Sequence, residues 1–335
     1  MSDRRPTFSF LMTAYRTEAY LPATIESVLA QTDPDWQLVV VDNGNSDDIA
    51  EIVTSYRDDR IVLVRQENKG YAGGVHAASE NATGHFVCVL DSDDQLLPTF
   101  CERVGRVLRE DSKVDVVGID AHRFYDDGPN LPMGYLRSIG VRSRPDPRRR
   151  LTKMDALAGF IPYYTAAIRR EAWDAVGGYD HPPEVDESVV IWLRLVQKFD
   201  VRILPDRLAR YRLRMDSLSR DASKVESFDD RVESAFESEP VETTKEREAV
   251  EATLRTARYL RSIRQARSAL LLGETEMARE AATRAFALKR TVRAASILAM
   301  VRVSPGLLRR VHPIKQRVTA AFTHVVQRVM RTKGE

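Results

Sequence analysis

Two rhythms of apolar residues alternate along the first 120 positions. Short apolar runs read as strands, and apolar residues three and four positions apart read as helices. Thr7 to Met12 predicts a first strand, ending at Thr13-Ala14-Tyr15-Arg16. Leu21, Ile25, Val28 and Leu29 predict a helix over 18–31. Gln37 to Val41 is a second strand, closed by Asp42-Asn43-Gly44-Asn45-Ser46-Asp47. Asp47 can cap the next helix, whose inner face is Ile49, Ile52, Val53 and Tyr56. Ile61 to Val64 is a third strand, and Gly70-Tyr71-Ala72-Gly73-Gly74 leads into a helix reaching Asn81. His85-Phe86-Val87-Cys88-Val89-Leu90 is a fourth strand, apolar enough to be covered on both faces. Leu96-Leu97-Pro98 opens a helix to residue 109, and Val114 to Gly118 is a fifth strand. Strands alternating with helices in short units predict a Rossmann-like, mostly parallel sheet with helices on both faces.

The rhythm then loosens. Residues 126–150 read as loop, with four prolines. Ala166 to Gly178 reads as a strand or edge followed by a helix closed at Gly177-Gly178. Ser188 to Lys198 is an amphipathic helix, and Arg202 to Pro205 and Leu208 to Leu213 are two short strands. Beyond residue 222 the pattern is helical, and Ala266 to Leu288 reads as a helical hairpin joined at Gly273-Glu274. The expected organisation is an α/β domain over 1–220, with halves 1–120 and 121–220, and an all-helical C-terminal extension over 221–335.

Composition narrows the function. The 335 residues are 43% hydrophobic and 30% charged, with a net charge of +2. That balance suits a globular protein, and overall charge predicts no nucleic-acid partner. The two cysteines, Cys88 and Cys101, are too few for a disulfide framework or a zinc site. No apolar run approaches a membrane span, so a cytoplasmic protein is expected. Charge is uneven, however. Residues 221–251 hold 11 acidic and 4 basic residues, whereas 289–335 hold 11 basic residues and one acid. From Leu308 to Val329, apolar residues recur at helical spacing with arginines between them. A basic amphipathic helix of this kind can rest on an anionic membrane, giving peripheral contact through 305–331. The alternative is a helix packed on the catalytic domain with its arginines in solvent.

The candidate chemistry gathers at the end of the fourth strand. Asp91, Asp93 and Asp94 fall within four positions, where a doubly wound sheet places its ligands. Asp91 and Asp93, at alternate positions, can point to one side of an extended chain. Paired carboxylates suit a divalent cation that carries phosphates. The plain alternative is a polar turn between a strand and a helix.

Several segments, in order, resemble inverting, nucleotide-sugar-dependent glycosyltransferases of the GT-A fold, family 2. These are Thr13-Ala14-Tyr15; Ser27 to Thr32; Val39 to Asp47; Asn68 to Gly74; Asp91-Ser92-Asp93-Asp94; Arg169 to Asp180; Trp192 to Leu195; and Tyr211-Arg212 to Ser219. The resemblance covers about residues 6–220. It implies metal-dependent transfer from a UDP-sugar to a carbohydrate or lipid-linked acceptor, in cell-surface polysaccharide or glycoconjugate synthesis. By that resemblance Thr13, Ala14 and Tyr15 flank the base and Asp42 accepts its N3–H. Asn68, Gly70 and Gly73 approach the nucleotide, with Gly74 beside them. Asp91 faces the ribose or metal, Ser92 is on the nucleotide, and Asp91 with Asp93 hold Mn2+ or Mg2+ as a Lewis acid.

Three positions depart from the family pattern. His76 stands where Asn is frequent, and Arg214 where a histidine is common. Arginine cannot ligate a metal in its charged form; Arg214 either bonds a nucleotide phosphate bidentately or is a solvated surface arginine. Ser188 stands where the family keeps its general-base aspartate. Asp186 and Glu187 adjoin it and are the candidate bases, one and not both. Asp186 is preferred, because a slip of the loop after Pro182-Pro183 brings it into the vacancy. Ser188 also leaves open a non-catalytic nucleotide-sugar-binding protein. A nucleotidyltransferase is disfavoured, because Thr13 to Glu18 contains no glycine for a phosphate loop.

Overall fold

The computed structural model describes residues 5–125, 128–160, 165–214 and 225–303. The first half runs β1 (Phe8–Ala14), α1 (Leu21–Leu29), β2 (Trp36–Asn43), α2 (Asp47–Ser55), β3 (Ile61–Gln66), α3 (Gly70–Glu80), β4 (Phe86–Val89), β5 (Gln95–Leu96), α4 (Phe100–Glu110) and β6 (Val116–Phe124). It continues with α5 (Tyr135–Ser138), α6 (Lys153–Leu157), β7 (Ala166–Arg169), α7 (Arg170–Val176), α8 (Glu187–Lys198) and β8 (Val201–Arg212). The helices α9 (Val225–Ser238), α10 (Thr244–Leu272), α11 (Thr275–Leu288) and α12 (Val292–Val303) follow. The chain divides into two compact units, Met1–Val250 and Glu251–Glu335.

The first unit is built on one eight-stranded sheet, ordered β3-β2-β1-β4-β7-β6-β8-β5. Its first four strands are parallel, as the alternating pattern predicts. Every residue of β1 is buried, so both faces of the sheet are covered. On one face Phe8 and Phe10 meet Phe100 of α4, with ring centroids 6.3 and 5.8 Å apart. On the other, Thr13 lies against α3. A Cβ added to Gly74 would stand 2.3 Å from Thr13 Cγ2, so only glycine lets α3 approach β1 this closely.

Four local expectations are corrected. Ser46, not Asp47, caps α2: its Oγ accepts the Ile49 N–H, and Asp47 is the first helical residue. The Gly70–Gly74 segment does not precede a helix but forms the first turn of α3. Residues 95–96 do not open a helix either: they pair antiparallel with β8, and α4 starts at Phe100. The two short strands of 202–213 are one strand, β8, beside β6. Pro205, which lacks an N–H, sits where the β6–β8 register shifts between Gly118 and Asp120, so it forfeits no ladder bond there. β7 runs antiparallel to β4 and β6, so the sheet is mixed beyond its parallel half.

In the second unit, Tyr259, Ile263, Ala266 and Leu270 of α10 pack with alanines of α11 and with Ile297 and Val301 of α12. The small alanine faces let the helices approach closely, and Gly273, at φ 90°, turns the expected hairpin. No helix among the described residues is long and apolar enough to cross a membrane. The basic stretch 305–331 and the Ser217–Ser219 landmark lie outside the described residues.

Candidate active site

Thr13 and Ala14 end β1 and are buried, and Thr13 Oγ1 has no hydrogen-bond partner among the described residues. Tyr15 follows, 41% exposed, with the Arg16 guanidinium 5.2 Å from its ring centre. Arg16 itself is in the left-handed region at φ 56°, a costly conformation for a side chain of this size. Gly44 faces the Tyr15 ring, and a Cβ there would come within 2.9 Å. The ends of β1 and β2 therefore meet around Tyr15.

Asp42, at the end of β2, is fully buried and engaged by the protein. Its Oδ1 accepts the Ser46 N–H at 2.9 Å, and its Oδ2 accepts Arg65 Nε at 3.1 Å. It is a turn-former, and each oxygen retains a second lone pair for a base N–H. Asn43, which sequence reasoning passed over, organises the next segment. Its Nδ2 donates to the Gly70 carbonyl at 2.8 Å, and its Oδ1 accepts the Lys69 N–H and Gln66 Nε2. Asn68 accepts the Gly70 N–H. Gly70 sits at φ 74° with open space where a Cβ would project, while a Cβ on Gly73 would strike Lys69. Asn68 and Gly70 thus shape the start of α3, and Gly73 packs inside it. His76 is on the outer surface of α3 beside Glu80, so this departure touches only helix packing.

The acidic run is a turn, not an extended strand, and the Asp94 N–H donates to the Asp91 carbonyl. Sequence reasoning brought Asp91 and Asp93 together by alternation; the turn does so instead and adds Asp94. One carboxylate oxygen from each of Asp91, Asp93 and Asp94 lies within 4.8 Å of the others. Such a set of hard oxygen donors fits a divalent cation. Ser92 faces away from it. Its hydroxyl donates to Thr17 Oγ1, and its carbonyl accepts from Thr24, which clamps the turn to α1. Its hydroxyl and carbonyl are thus both engaged by the protein.

The end of β8 closes this side. The Arg212 N–H donates to Asp94 Oδ1 at 2.6 Å, and Arg212 Nε donates to the Asp93 carbonyl at 2.7 Å. Arg214 donates to Asp93 Oδ2 at 3.1 Å and lies over the Tyr20 ring. The arginine at the family's histidine position therefore reaches the acidic cluster. Opposite, Tyr71 of α3 donates its hydroxyl to Asp91 Oδ1 at 2.6 Å. Burial, and then the Asp93 charge, push Asp91 up to about 6 against the relief of the Tyr71 bond. Burial and then Asp91 raise the Tyr71 hydroxyl well above the ordinary tyrosine value.

The start of α8 faces the same neighbourhood. Tyr179 packs between Tyr71 and Trp173, with ring centres 6.1 and 5.4 Å away. Burial raises its hydroxyl, followed by the charges of Glu187, Asp186 and Asp91, so all three carboxylates act on one ring. Asp186 is the N-cap of α8. Its Oδ1 accepts the Val189 N–H at 3.1 Å and also the Ser188 hydroxyl. Ser188 thus supports the neighbouring acid from the vacant family position. Glu187 is ion-paired with Arg231 of α9, and burial raises its carboxyl despite that partner. No sequence signal marked Arg231, because it lies in a stretch that reads only as helix.

Parallel strands, a metal-type acidic turn at their ends and a carboxylate-tipped helix across from it define the GT-A type of nucleotide-dependent enzyme fold. The chain belongs to glycosyl transferase family 2, whose family model matches residues 9–177. It is 29% identical over 212 residues to an uncharacterised glycosyltransferase of Nostoc sp., covering 61% of this chain and 64% of that one. It is 41% identical over 87 residues to UDP-Glc:alpha-D-GlcNAc-diphosphoundecaprenol beta-1,3-glucosyltransferase WfgD of Escherichia coli, covering 26% and 34%. Both matches span less than two thirds of the relative's length. The crystal structure of S. aureus TarS 1-349 shares the fold, with a TM-score of 0.57 at 17% identity over 93% of this chain and 92% of that one.

Asp42 carries one prediction here. Asp42→Asn, which keeps an acceptor for the Ser46 N–H, is expected to weaken UDP binding by about 10- to 100-fold, the worth of a hydrogen bond to a charged group. Pyrophosphate binding in the presence of a divalent cation should stay unchanged. Calorimetry giving equal UDP affinity for both proteins would leave Asp42 as a turn-former alone.

Proposed function

We propose that this chain transfers a sugar from a UDP-sugar to an acceptor hydroxyl with inversion, in cell-surface polysaccharide or glycoconjugate synthesis. The observation that carries the reading is the cluster of Asp91, Asp93 and Asp94 carboxylates at the end of the parallel strands, linked through Tyr71 and the Tyr179 ring toward the start of α8, where Asp186 and Glu187 stand. It sets a phosphate-side acidic turn against a candidate base. Asp91 and Asp93 would hold Mn2+ or Mg2+, with Asp94 fixing the turn beneath them. A divalent cation bound there would supply Lewis-acid neutralisation of the departing diphosphate. Tyr71 orients Asp91, and Arg214 is placed to exchange Asp93 for a phosphate oxygen. Thr13, Ala14, Tyr15 and Asp42 receive the base, and Asn68 and Gly70 shape the wall beside it. The diphosphoundecaprenol acceptor in the name of the Escherichia coli relative supports a lipid-linked acceptor here.

UDP release from a panel of UDP-sugars, with and without chelator, tests this. Release that needs the cation and rises with an added lipid-linked saccharide is expected. Full activity in chelator would remove the metal from the mechanism. A second reading, a binder without catalysis, draws on Ser188 at the family's aspartate position and on the capping duty of Asp186. UDP binding with no release from any donor would favour it.

A further inference from the structure

The loop between α5 and α6 is set apart from the rest of its unit by charge. Six arginines and one acid, Asp146, fall between residues 137 and 150 in a chain whose net charge is only +2. Elsewhere in the unit arginines find carboxylates, as in Arg60–Asp58, Arg103–Asp206, Arg169–Asp115 and Arg207–Asp120. In this loop Arg149 forks onto Asp155, but Arg142, Arg144, Arg148 and Arg150 are exposed with no ion pair among the described residues.

The loop backbone is nonetheless held. Leu136 N–H donates to Asp120 at 2.9 Å, and the Tyr135 ring lies 5.4 Å from that of Tyr211. At the other end Leu151 N–H donates to the Val201 carbonyl at 2.9 Å, and Arg202 donates to the Arg148 carbonyl. Asp146 accepts the Arg148 N–H, and Pro145 and Pro147 stiffen the chain around it. The backbone anchors therefore run from the middle of β8, where Asp120 lies opposite Arg207, to its start at Val201, about 20 Å at the rise of a strand. Exposed Met133 and Met154 flank it.

We infer that this loop is a docking surface for an anionic lipid bilayer. Spread arginine charge on a held backbone, about 20 Å between its anchors and with apolar side chains at its margins, fits a plane of anionic headgroups better than it fits one phosphate in a pocket. The loop is distinct from the basic stretch 305–331. Each basic residue near an anionic leaflet is worth about a fivefold gain in partitioning, so the four unpaired arginines give on the order of several hundredfold.

Co-sedimentation of the full chain with vesicles of phosphatidylcholine, alone or with phosphatidylglycerol, tests it. Binding is expected only with phosphatidylglycerol and should weaken as salt rises. The variant carrying Arg142→Gln, Arg144→Gln, Arg148→Gln and Arg150→Gln should lose binding at least tenfold while keeping its UDP affinity. No binding by the intact chain at low salt would overturn the assignment. So would undiminished binding by the fourfold variant, which moves the contact elsewhere, or equal affinity for a DNA duplex, which makes the loop a general polyanion site. Because UDP release is measured in solution, failure on vesicles leaves the proposed chemistry untouched.

Discussion

Asp93→Ala is expected to abolish transfer, by about two to three orders of magnitude, while the protein stays folded. Charge stabilisation aimed at a leaving group is usually the largest single contribution to such catalysis. Asp93 can be removed with little loss of fold because its carboxylate is partly exposed, its loss relieves repulsion on Asp91, and Arg214, its partner, still rests on the Tyr20 ring. Its carbonyl, which receives Arg212, is unaffected. Asp94 offers the contrast: it is fully buried under the Arg212 N–H, so Asp94→Ala should lower the melting temperature as well as activity. Loss of metal-dependent UDP affinity with an unchanged melting temperature in Asp93→Ala is the expected result. Wild-type turnover in that variant would exclude Asp93 from the site.

The same cluster sets a pH dependence. Asp91 titrates near 6, above the ordinary aspartate value, because it is buried and faces Asp93. Its ionised form is thus disfavoured in the folded protein. Without a cation the native state gains stability as pH falls through about 6 toward the ordinary value near 3.9, and that gain is lost as pH rises again. A divalent cation binds the ionised form, so its thermal stabilisation should be greatest above pH 6 and fade below it. In Asp93→Asn the like charge is gone, and the midpoint of that fade should move to lower pH.

Much of this arrangement is legible in the chain because parallel strands and their ends have strong local signatures. The buried runs of β1, β2 and β4 are apolar almost without interruption, and ligand sites fall at their ends. What the sequence hides is contact over distance. Arg231 reaches Glu187 across 44 positions, and Arg212 reaches Asp94 across 118. Tyr71 reads as part of a glycine-rich turn until α3 brings its hydroxyl to Asp91. Pro205 misled for a different reason. Proline ordinarily ends a central strand, but a register shift admits it in β8.

The second large effect concerns the proton. The acceptor hydroxyl must lose it during attack, and a positioned carboxylate contributes about 10²- to 10⁴-fold. Asp186 and Glu187 are both buried, yet they are held differently. Glu187 is committed to Arg231, which also donates to the Val185 carbonyl and ties α9 to the start of α8. Burial raises the Glu187 carboxyl, but to take a proton it must first give up the Arg231 guanidinium, which already occupies it. Asp186 receives only neutral donors, and both hydrogen bonds among the described residues fall on Oδ1. Its Oδ2 is therefore the better placed to take a proton. Asparagine caps a helix about as well as aspartate, so Asp186→Asn should keep α8 intact and UDP affinity unchanged while turnover falls by about 10²-fold or more. Glu187→Gln should keep turnover within a fewfold but lower the melting temperature, because Arg231 is left half-buried without its partner. The opposite pattern would make Glu187 the base. Wild-type turnover in both variants would exclude both, and Ser188 would then mark a site that binds a nucleotide-sugar without an acid of its own to deprotonate the acceptor.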